Sequence, residues 1–492
     1  MDSLIKLIQT LGTANWPTRC RAAFDELYSA KGGRYPESAK KVAAQRVPDF
    51  NGGTGVPFGA LIDPSNSGSG PYGGMSFVVF PKSDVPCLVG LVVGTQGLSP
   101  DEEVLGRPGH ARKVGAICAW LNHRYGKGKL CAWAKQDPVR TDLEVPPSVA
   151  KTFSSYDTIF AKYGKVLYGI FAPPDDTNAT ADATKAFLDL MFSERKQFPL
   201  KSAEGDAERI RSGYFAHLLP DVPETDVAAL LHSRRYAIIE GPPGTGKTRM
   251  ALRLLILSQH YGGRGTTIQF HPNTTYENFV GGLAPTLSAG ELGLRFEPHK
   301  GELMRAAKIA LEDPTKTFLL HVDEINRADL AKILGEAIFL LEPQADEKPR
   351  ELNLPYDFGL PFGRRFSIPE NLHILGTMNS ADRSIAIVDV AVRRRFAFVK
   401  LWPQMRVVAE YGGPLMQEAF KELLAIFVDH ASEDAFALVP GHSYFLEKDN
   451  RQAVRLLKVN LSPLLQEYLS QGYIATFSDS IRAYLQWLET LE

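Results

Sequence analysis

The sequence predicts an α/β protein with a parallel-sheet core, preceded by a separate α+β region and followed by a helical region. From about residue 222 to 400, short apolar segments alternate with segments of helical periodicity, which is typical of a mostly parallel sheet. Before this stretch, strand-like and helix-like segments follow one another without that alternation, and after it helical periodicity dominates. We therefore expect an N-terminal α+β domain over residues 1–200, a core domain over 201–401 and a helical lid over 402–492.

The length and composition indicate a folded protein of several domains. The chain has 492 residues, of which 44% are hydrophobic and 23% charged, and it exceeds the size that one hydrophobic core usually supports. Its formal net charge of −1 excludes a polycation, so any contact with nucleic acid must come from a local basic patch. No apolar run approaches the roughly 18 residues that span a bilayer, and the first residues lack a secretory apolar core. We expect a cytoplasmic protein that does not contact membranes.

The N-terminal region is marked by tracts with little periodicity. Residues 51–74 are rich in Gly, Pro and Ser and are predicted to form a loop. Residues 173–180 are polar and turn-rich, and a helix is predicted after them, over 181–196. The stretch 198–222 is mixed in charge and leads into two prolines, so we expect the domain boundary there. The four cysteines form no C-x-x-C pair and are expected to be reduced and buried.

A phosphate-binding motif follows the first strand of the core. The apolar strand Tyr236–Glu240 precedes the sequence GPPGTGKT at residues 241–248, and a helical segment follows. This G-x-x-x-x-G-K-T pattern between a strand and a helix predicts a P-loop whose backbone N–H groups surround a β-phosphate. Lys247 is expected to contact the β- and γ-phosphates, and the Thr248 hydroxyl is expected to bind Mg²⁺. The predicted nucleotide-binding residues are Gly241, Pro242, Pro243, Gly244, Thr245, Gly246, Lys247 and Thr248.

A second apolar strand, downstream of this motif, ends in two carboxylates. Residues 317–324 have the sequence TFLLHVDE. Asp323 is expected to hold the water shell of Mg²⁺, and Glu324 to polarise the attacking water. The alternative, an ordinary strand followed by an acidic helix cap, is disfavoured by the phosphate-binding motif upstream. His321 interrupts the apolar strand, and we expect it to be a core histidine with satisfied polar groups rather than a catalytic one.

Two further polar elements follow along the chain. The apolar strand Asn371–Asn379 ends in an amide, which can orient the lytic water or sense a γ-phosphate, or can simply be a turn residue at a strand end. Three consecutive arginines, Arg393, Arg394 and Arg395, are either a solvated helix end or the source of an arginine finger. In a ring-forming nucleoside triphosphatase, such a finger reaches the γ-phosphate of the neighbouring subunit. The sequence leaves open which arginine takes this role.

These motifs closely resemble those of the McrB family, the AAA+ motor subunits of modification-dependent restriction systems. The matching segments are residues 323–327 (DEINR), 378–384 (MNSADRS) and 388–396 (VDVAVRRRF), with support from 269–279 (QFHPNTTYENF) and 441–445 (GHSYF). They occur in the family's order over about residues 235–445. The resemblance implies an AAA+ P-loop core with a C-terminal helical lid. His321 stands where the family usually has an aliphatic residue.

The resemblance also implies roles for individual residues and partners. It assigns Asn379 as the polar sensor, Asn326 and Arg327 as the helix-start pair after the acidic strand, Arg394 and Arg395 as trans-acting fingers, and Asp382 and Arg383 to the family's signature loop. It implies a homo-oligomeric ring, most often a hexamer, that hydrolyses GTP or ATP with Mg²⁺. It further implies a separate McrC-like nuclease partner.

In McrB-like proteins the N-terminal domain varies and selects the target, often modified DNA, so DNA is an expected partner. Two basic segments suit phosphate contacts, residues 106–113 (GRPGHARK) and 123–129 (HRYGKGK), and each is alternatively a solvated turn. Trp16, Trp120 and Trp133 could stack on an extruded base, although tryptophans more commonly lie in cores. The sequence contains no recognisable nuclease constellation, so cleavage is expected to belong to a partner.

We therefore predict a ring-forming nucleoside triphosphatase that couples hydrolysis to DNA translocation, or to activation of a partner nuclease, in defence against foreign DNA. One alternative is a MoxR- or dynein-like ATPase that remodels protein complexes without binding DNA. A second is a scaffold in which nucleotide only controls assembly. Glu324 disfavours the scaffold, because a scaffold does not need a carboxylate that activates water.

Overall fold

The structure is a computed structural model that describes residues 1–28, 32–49, 55–287, 294–342, 350–381 and 389–492. It divides into two compact units. The first comprises Met1–Leu219 with Ile426–Ser432, and the second comprises Pro220–Ala425 with Glu433–Glu492. Asp382 and Arg383, to which the resemblance assigns the signature loop, lie outside the described residues.

The first unit contains a six-stranded antiparallel sheet with the strand order β1-β2-β3-β4-β6-β5. Its strands are β1 (Ala44–Arg46), β2 (Gly59–Ile62), β3 (Met75–Phe80), β4 (Leu88–Val93), β5 (Ala132–Ala134) and β6 (Leu167–Phe171). Every residue of β3, β4 and β6 is buried, which explains their unbroken apolar sequences. Strand β2 lies inside the tract 51–74, so the loop prediction was wrong there. Its four-residue apolar run is too short to stand out among the surrounding Gly, Pro and Ser.

Helices accompany this sheet. They are α1 (Asp2–Gln9), α2 (Trp16–Asp25), α3 (Glu102–Leu105), α4 (Pro108–Tyr125), α5 (Pro147–Thr152), α6 (Asp157–Tyr163), α7 (Thr177–Glu194) and α8 (Lys201–Leu218). Helix α7 begins inside the segment that was predicted to be a turn. The Asp176 side chain accepts hydrogen bonds from the backbone N–H groups of Asn178 and Ala179, and this N-cap starts the helix earlier than periodicity alone indicates.

Helix α8 occupies the stretch where the sequence suggested a domain boundary, and it groups with the first unit. Ion pairs hold it there. The buried Arg34 guanidinium contacts Asp189 of α7 and lies 2.8 Å from Asp206 of α8, while Arg209 of α8 lies 2.6 Å from Asp182 of α7. The division between the units falls at residues 219 and 220, which lies inside the stretch 198–222 and after the expected domain end at residue 200.

The second unit is built on a five-stranded parallel sheet with the order β15-β7-β14-β11-β8. Two antiparallel pairs, β9 with β10 and β12 with β13, lie outside it. The strands are β7 (Tyr236–Gly241), β8 (Gly265–Gln269), β9 (Gly281–Leu287), β10 (Leu294–Lys300), β11 (Phe318–Asp323), β12 (Leu352–Asn353), β13 (Arg365–Phe366), β14 (Leu372–Asn379) and β15 (Ala397–Lys400). The strand order reverses around β7, and in open parallel sheets such a point leaves a ligand crevice at the carboxyl ends of the strands.

Both faces of the parallel sheet are covered. Ile238, Leu320 and Ile374 belong to one buried apolar cluster, whereas Ile239 and Leu375 belong to another. Neighbouring residues of a strand point to opposite faces, so the continuous apolar strands serve two cores at once. This arrangement confirms the predicted parallel α/β core.

The helices of the second unit include those between the strands and those after the sheet. They are α9 (Glu224–Arg234), α10 (Lys247–Ile256), α11 (Tyr276–Phe279), α12 (Glu302–Glu312), α13 (Leu330–Leu334), α14 (Val390–Arg393), α15 (Met405–Tyr411), α16 (Pro414–His430), α17 (Glu433–Phe436), α18 (Asn450–Leu456), α19 (Ser462–Ser470) and α20 (Ser478–Thr490). Residues 402–492, all of them described, contain helices and turns, as the helical periodicity predicts. The last residues of α16 group with the first unit.

The four cysteines have the surroundings that the sequence predicts. Cys20, Cys87, Cys118 and Cys131 are all free and buried. Among the described residues, no helix has both the length and the apolar character that crossing a bilayer requires.

Candidate functional site

The predicted catalytic elements meet at the carboxyl edge of the parallel sheet. Strand β7 ends at Gly241, where the P-loop starts, and Gly241 lies directly opposite Asn379 at the end of β14. Strand β11, the other neighbour of β14, ends at Asp323. Because parallel strands end at one edge, three motifs that are far apart in the sequence are brought side by side.

The P-loop turns tightly into helix α10. Gly244 and Gly246 both have φ values of +81°, a left-handed backbone conformation that glycine adopts without steric cost. The helix begins at Lys247, so its first backbone N–H groups face the loop and favour an anion. The backbone thus has the form that the G-x-x-x-x-G-K-T pattern predicts.

The Lys247 ammonium is buried beneath the loop. Its Nζ donates to the Gly241 carbonyl at 3.0 Å, to the Pro242 carbonyl at 2.8 Å and to Asn379 Oδ1 at 2.7 Å. Burial lowers the pKa of Lys247 to about 8, although the Glu324 and Asp323 carboxylates act in the opposite direction. A phosphate bound here would supply the compensating negative charge that this buried cation lacks.

The two predicted metal ligands are in contact. Thr248 Oγ1 donates to Asp323 Oδ1 at 3.0 Å, and the Thr377 hydroxyl donates to the same carboxylate oxygen. A threonine hydroxyl beside a carboxylate is the oxygen pair that holds Mg²⁺ in P-loop enzymes. These two side chains therefore fit a Mg²⁺ ion, which would polarise the phosphate oxygens of a bound nucleotide.

Glu324 is held in an unusual backbone conformation. Its φ of +52° lies in the left-handed region, where a residue other than glycine is strained by about 1–3 kcal/mol. Its Oε1 accepts a hydrogen bond from Asn379 Nδ2 at 3.1 Å, and its buried Oε2 accepts none, although the Arg327 guanidinium lies 3.4 Å away. A buried carboxylate oxygen with free acceptor capacity suits a general base for a water molecule.

Asn379 connects the phosphate side of the site with the water-activating side. Its amide oxygen accepts from Lys247 while its amide nitrogen donates to Glu324. The amide can satisfy both neighbours only in this orientation, because one partner is a donor and the other an acceptor. Two hydrogen bonds through one amide therefore link Lys247 to Glu324.

Asn326 contacts the backbone of Asn379. It is buried in a 3₁₀ turn formed by Ile325–Arg327, and its Nδ2 donates to the Asn379 carbonyl at 3.4 Å. Asn326 does not face the cavity. It positions the strand end that carries Asn379.

A turn after the sheet closes the site from the other side. The Gly441 N–H donates to the Pro243 carbonyl at 2.8 Å, and the Ser443 N–H donates to the Gly244 carbonyl at 3.0 Å. His442 Nδ1 accepts from the Gln404 N–H at 3.3 Å, so its Nε2 carries the ring proton, beside Gly246. The resulting cavity has a volume of about 370 Å³ and is lined by Pro243, Gly244, Gly246, Lys247, Thr248, Arg249, Asp323, Glu324, Thr377, Met378, Asn379, His442, Ser443 and Leu446.

Replacing Gly441 with Ala is expected to weaken nucleotide binding about tenfold, a loss of about 1.4 kcal/mol. A Cβ at this position would lie 2.0 Å from the Gly244 carbonyl carbon, so the turn would have to move away from the P-loop. Titration with a fluorescent nucleotide measures the change in Kd. Gly205→Ala is the matched control, since a Cβ there meets nothing within 4 Å. An unchanged Kd for Gly441→Ala would show that this turn is not part of the nucleotide site.

The three arginines differ in their surroundings. Arg395 is buried and lies 2.9 Å from Glu342 of its own chain, whereas the Arg394 side chain is 62% exposed and its guanidinium lies 3.6 Å from the same carboxylate. Arg393 is exposed and stacks on the Phe398 ring at 5.0 Å. Arg395 is thus held within its subunit, which argues against its predicted role as a trans-acting finger. Arg394 remains accessible to a neighbour.

His321 lies where the sequence analysis placed it, in the core. It is fully buried in β11, and its two ring nitrogens lie 3.3 Å from the Thr267 and Thr377 hydroxyls. Burial lowers the pKa of His321 to about 4, so the ring is neutral near pH 7. The prediction of a satisfied core histidine is confirmed.

Most of the features suggested for DNA contact serve the packing of the first unit. Arg107 and Lys113 pair with the buried Glu194, and Arg112 donates to backbone carbonyls at residues 428 and 431. The segment 106–113 is therefore mainly structural. Trp16 and Trp120 are buried, which removes two candidates for base stacking. Lys127 and Lys129, by contrast, are exposed beyond the end of α4.

Three contributors to the site were not predicted. Thr377 follows an apolar stretch of β14 and shows no polar pattern, so its contact with Asp323 has no sequence signal. His442 and Ser443 lie in a recognised segment, but their distance from the P-loop in the sequence concealed their contact with it. Periodicity cannot supply such contacts between distant segments.

The chain is similar to known proteins. The family model for the AAA domain (dynein-related subfamily) matches residues 237–396. The Type IV methyl-directed restriction enzyme EcoKMcrB subunit of Escherichia coli (strain K12) is 30% identical over 355 residues, covering 66% of this chain and 75% of that protein. The Type II restriction enzyme BsuMI component YdiS of Bacillus subtilis (strain 168) is 28% identical over 197 residues, covering 33% of this chain and 56% of that protein.

The AAA match spans the strand before the P-loop, the acidic strand and β14, whose ends form the site, and it continues to the three arginines. The match to the McrB subunit extends over three quarters of that relative. The chain therefore belongs to the McrB-like family of AAA+ nucleoside triphosphatases.

Proposed function

We propose that this protein forms a homo-oligomeric ring, which in this family is most often a hexamer. The ring hydrolyses GTP or ATP, and it uses the energy to translocate DNA or to activate a partner nuclease in defence against foreign DNA. The observation that carries the hydrolytic half is the hydrogen-bonded series from Lys247 through Asn379 to Glu324. This series supports Glu324 as the general base and Lys247 as the cation that contacts the phosphates. A scaffold controlled by nucleotide does not need this arrangement.

The chemistry follows from the residues at the edge of the sheet. Lys247 and the P-loop N–H groups bind the β- and γ-phosphates, while Thr248 and Asp323 hold Mg²⁺. A Mg²⁺ ion held by these two side chains would supply positive charge to offset the charge on the phosphate oxygens. Glu324 accepts the proton of the attacking water at its free Oε2, and Asn379 fixes the orientation of that carboxylate.

The cations of the cavity support the ring. Among the described residues, those that line the cavity supply one ammonium group deep in the site, Lys247, and one guanidinium, that of the exposed Arg249. A phosphoryl-transfer site gains a large stabilisation from a further arginine near the γ-phosphate. Arg394, which is exposed and not in the cavity of its own chain, is our candidate for that group in the next subunit.

The restriction half of the proposal rests on the relatives. Both are components of restriction enzymes, one of them methyl-directed. We assign cleavage to a separate McrC-like nuclease, as the family resemblance implies. Under this proposal the protein is the motor, and its first unit selects the DNA.

A cavity in the first unit supports target selection. It has a volume of about 280 Å³, and its walls include Phe58, Tyr72, Phe80 and Tyr163, with Arg46 among the lining residues. The Phe80 and Tyr163 ring centroids are 5.4 Å apart. A flat ring, such as a base turned out of a duplex, would stack in an apolar site of this kind beside a cation.

Steady-state hydrolysis of GTP and ATP, measured in parallel with and without duplex DNA carrying modified or unmodified bases, tests the proposal. Turnover that rises with modified DNA and falls back in Tyr163→Ala would support the restriction motor and the role of the first unit. Strict use of ATP that no DNA changes would favour a MoxR- or dynein-like ATPase that remodels protein complexes. The nucleotide that gives the faster turnover, GTP or ATP, is the preferred substrate.

A further inference from the structure

A line of polar side chains crosses three neighbouring strands of the parallel sheet. Thr267 of β8 lies directly opposite His321 of β11, and Thr377 lies on β14, the next strand. His321 and Thr377 are almost completely inaccessible to solvent. Buried polar groups are costly unless they are hydrogen-bonded, so their partners indicate why the sheet tolerates them.

Each hydrogen bond along this line has its donor on the side away from Asp323 and its acceptor on the side towards it. The Thr377 hydroxyl donates to the Asp323 carboxylate, which can only accept, so the Thr377 oxygen is free to accept from His321 Nε2–H at 3.3 Å. A neutral imidazole that donates from Nε2 accepts at Nδ1, where the Thr267 hydroxyl lies at 3.3 Å. The series therefore runs from Thr267 through His321 and Thr377 to Asp323.

The series ends on a carboxylate oxygen of Asp323 that Thr248, the last residue of the P-loop motif, also contacts. Asp323 Oδ1 accepts from Thr377 on one side and from Thr248 on the other. Without His321, the Thr377 hydroxyl could rotate away from the carboxylate, because a threonine side chain has alternative staggered positions. An aliphatic residue in place of His321 would have no donor with which to hold it.

We propose that His321 is a positioning residue of the hydrolytic site, which orients Asp323 for Mg²⁺ through the hydroxyl of Thr377. The inference rests on the proposed function only in taking Asp323 as a metal-binding group. His321 does not touch the nucleotide cavity or the reacting atoms. Its effect should appear in the metal dependence of the reaction.

The test compares His321→Met, which removes the donor, with His321→Gln, which has a similar length and keeps an N–H donor near the position of Nε2. NTP hydrolysis is measured against Mg²⁺ concentration. Second-sphere groups typically change metal affinity about 10- to 100-fold, so we expect His321→Met to raise the half-saturating Mg²⁺ concentration about tenfold. His321→Gln should lie much closer to the unsubstituted protein. Equal Mg²⁺ dependence in both variants and the unsubstituted protein would overturn the proposal.

A double-variant cycle tests whether His321 acts through Thr377. Thr377→Val should raise the Mg²⁺ requirement, whereas Thr377→Ser, which keeps the hydroxyl, should leave it near that of the unsubstituted protein. Adding His321→Met to Thr377→Val should raise the requirement little further, since the effects of coupled residues are not additive. Full additivity would contradict the series of hydrogen bonds. Because Val and Thr have nearly the same volume, this arm remains informative even if His321→Met fails to fold.

A second buried histidine of the same sheet provides the control. His373 of β14 hydrogen-bonds to Tyr261 at 2.6 Å, on the opposite side from the cavity residues, so His373→Leu should leave the Mg²⁺ requirement unchanged. A tenfold increase in that variant would mean that any core histidine matters, and would overturn the specific role of His321. Absence of hydrolysis in the unsubstituted protein would instead contradict the proposed function.

Discussion

Replacing Glu324 with Gln is expected to lower kcat for nucleotide hydrolysis by at least about 100-fold, the range that loss of a positioned general base produces. The amide keeps the size of the side chain but cannot take a proton from water. Its amide oxygen can still accept the bond from Asn379, so the amide nitrogen takes the position of Oε2, where it can only donate. Nucleotide binding should persist, since Lys247, Thr248 and the P-loop backbone are unchanged.

Single-turnover hydrolysis, together with titration of a fluorescent nucleotide, measures the two effects separately. Glu336→Gln is the matched control, because Glu336 is a carboxylate of the same unit that contacts the Tyr276 hydroxyl and lies outside the cavity. Normal turnover in Glu324→Gln would remove Glu324 from the catalytic site. Loss of nucleotide binding in that variant would instead indicate that the carboxylate holds the metal.

The outcome also separates an enzyme from a scaffold. In a scaffold that only senses nucleotide, Glu324→Gln would leave assembly and its nucleotide dependence as they are, and there would be little turnover to lose. In an enzyme, the variant is trapped with nucleotide bound. The left-handed backbone of Glu324 favours the enzyme, because strain of this kind is usually retained where the side chain must point in a particular direction.

The hydrolytic elements could be predicted from the sequence because each is a local pattern. Glycines at 244 and 246 mark a backbone that turns through positive φ, and an apolar strand that ends in Asp323 marks a sheet edge. Local patterns of this kind need no knowledge of the order of the strands. The parallel sheet could likewise be predicted from the alternation of strands and helices.

Contacts between distant segments could not be predicted in the same way. The P-loop and the turn at 441–445 are joined by backbone hydrogen bonds that no side-chain pattern reports. The short strand β2 was hidden by its Gly- and Pro-rich surroundings, and helix α8 was hidden by its mixed charge. Two ion pairs, Asp206 with Arg34 and Arg209 with Asp182, bind α8 to the first unit. Tertiary packing, rather than local preference, decides such elements.

The three arginines show the same limit, and they lead to the second large effect. The sequence alone cannot show which of three consecutive arginines acts as the finger. In the structure Arg395 is buried, whereas Arg393 and Arg394 are exposed. We expect Arg394→Ala to lower kcat about 1,000-fold, the lower end of the range for an arginine finger, with little change in nucleotide affinity. Arg393→Ala, a matched exposed arginine beside it, is expected to have a much smaller effect.

A mixing experiment shows whether Arg394 acts in trans. Homo-oligomers of Arg394→Ala and of Glu324→Gln should each be inactive. In mixed rings, however, some sites combine Glu324 from one subunit with Arg394 from its neighbour. Activity that returns on mixing would mean that the two groups meet across a subunit boundary, so that the competent site belongs to the ring and not to the single chain. If mixing restores nothing while mixed rings demonstrably form, Arg394 acts within its own subunit, and the finger must be sought in another residue.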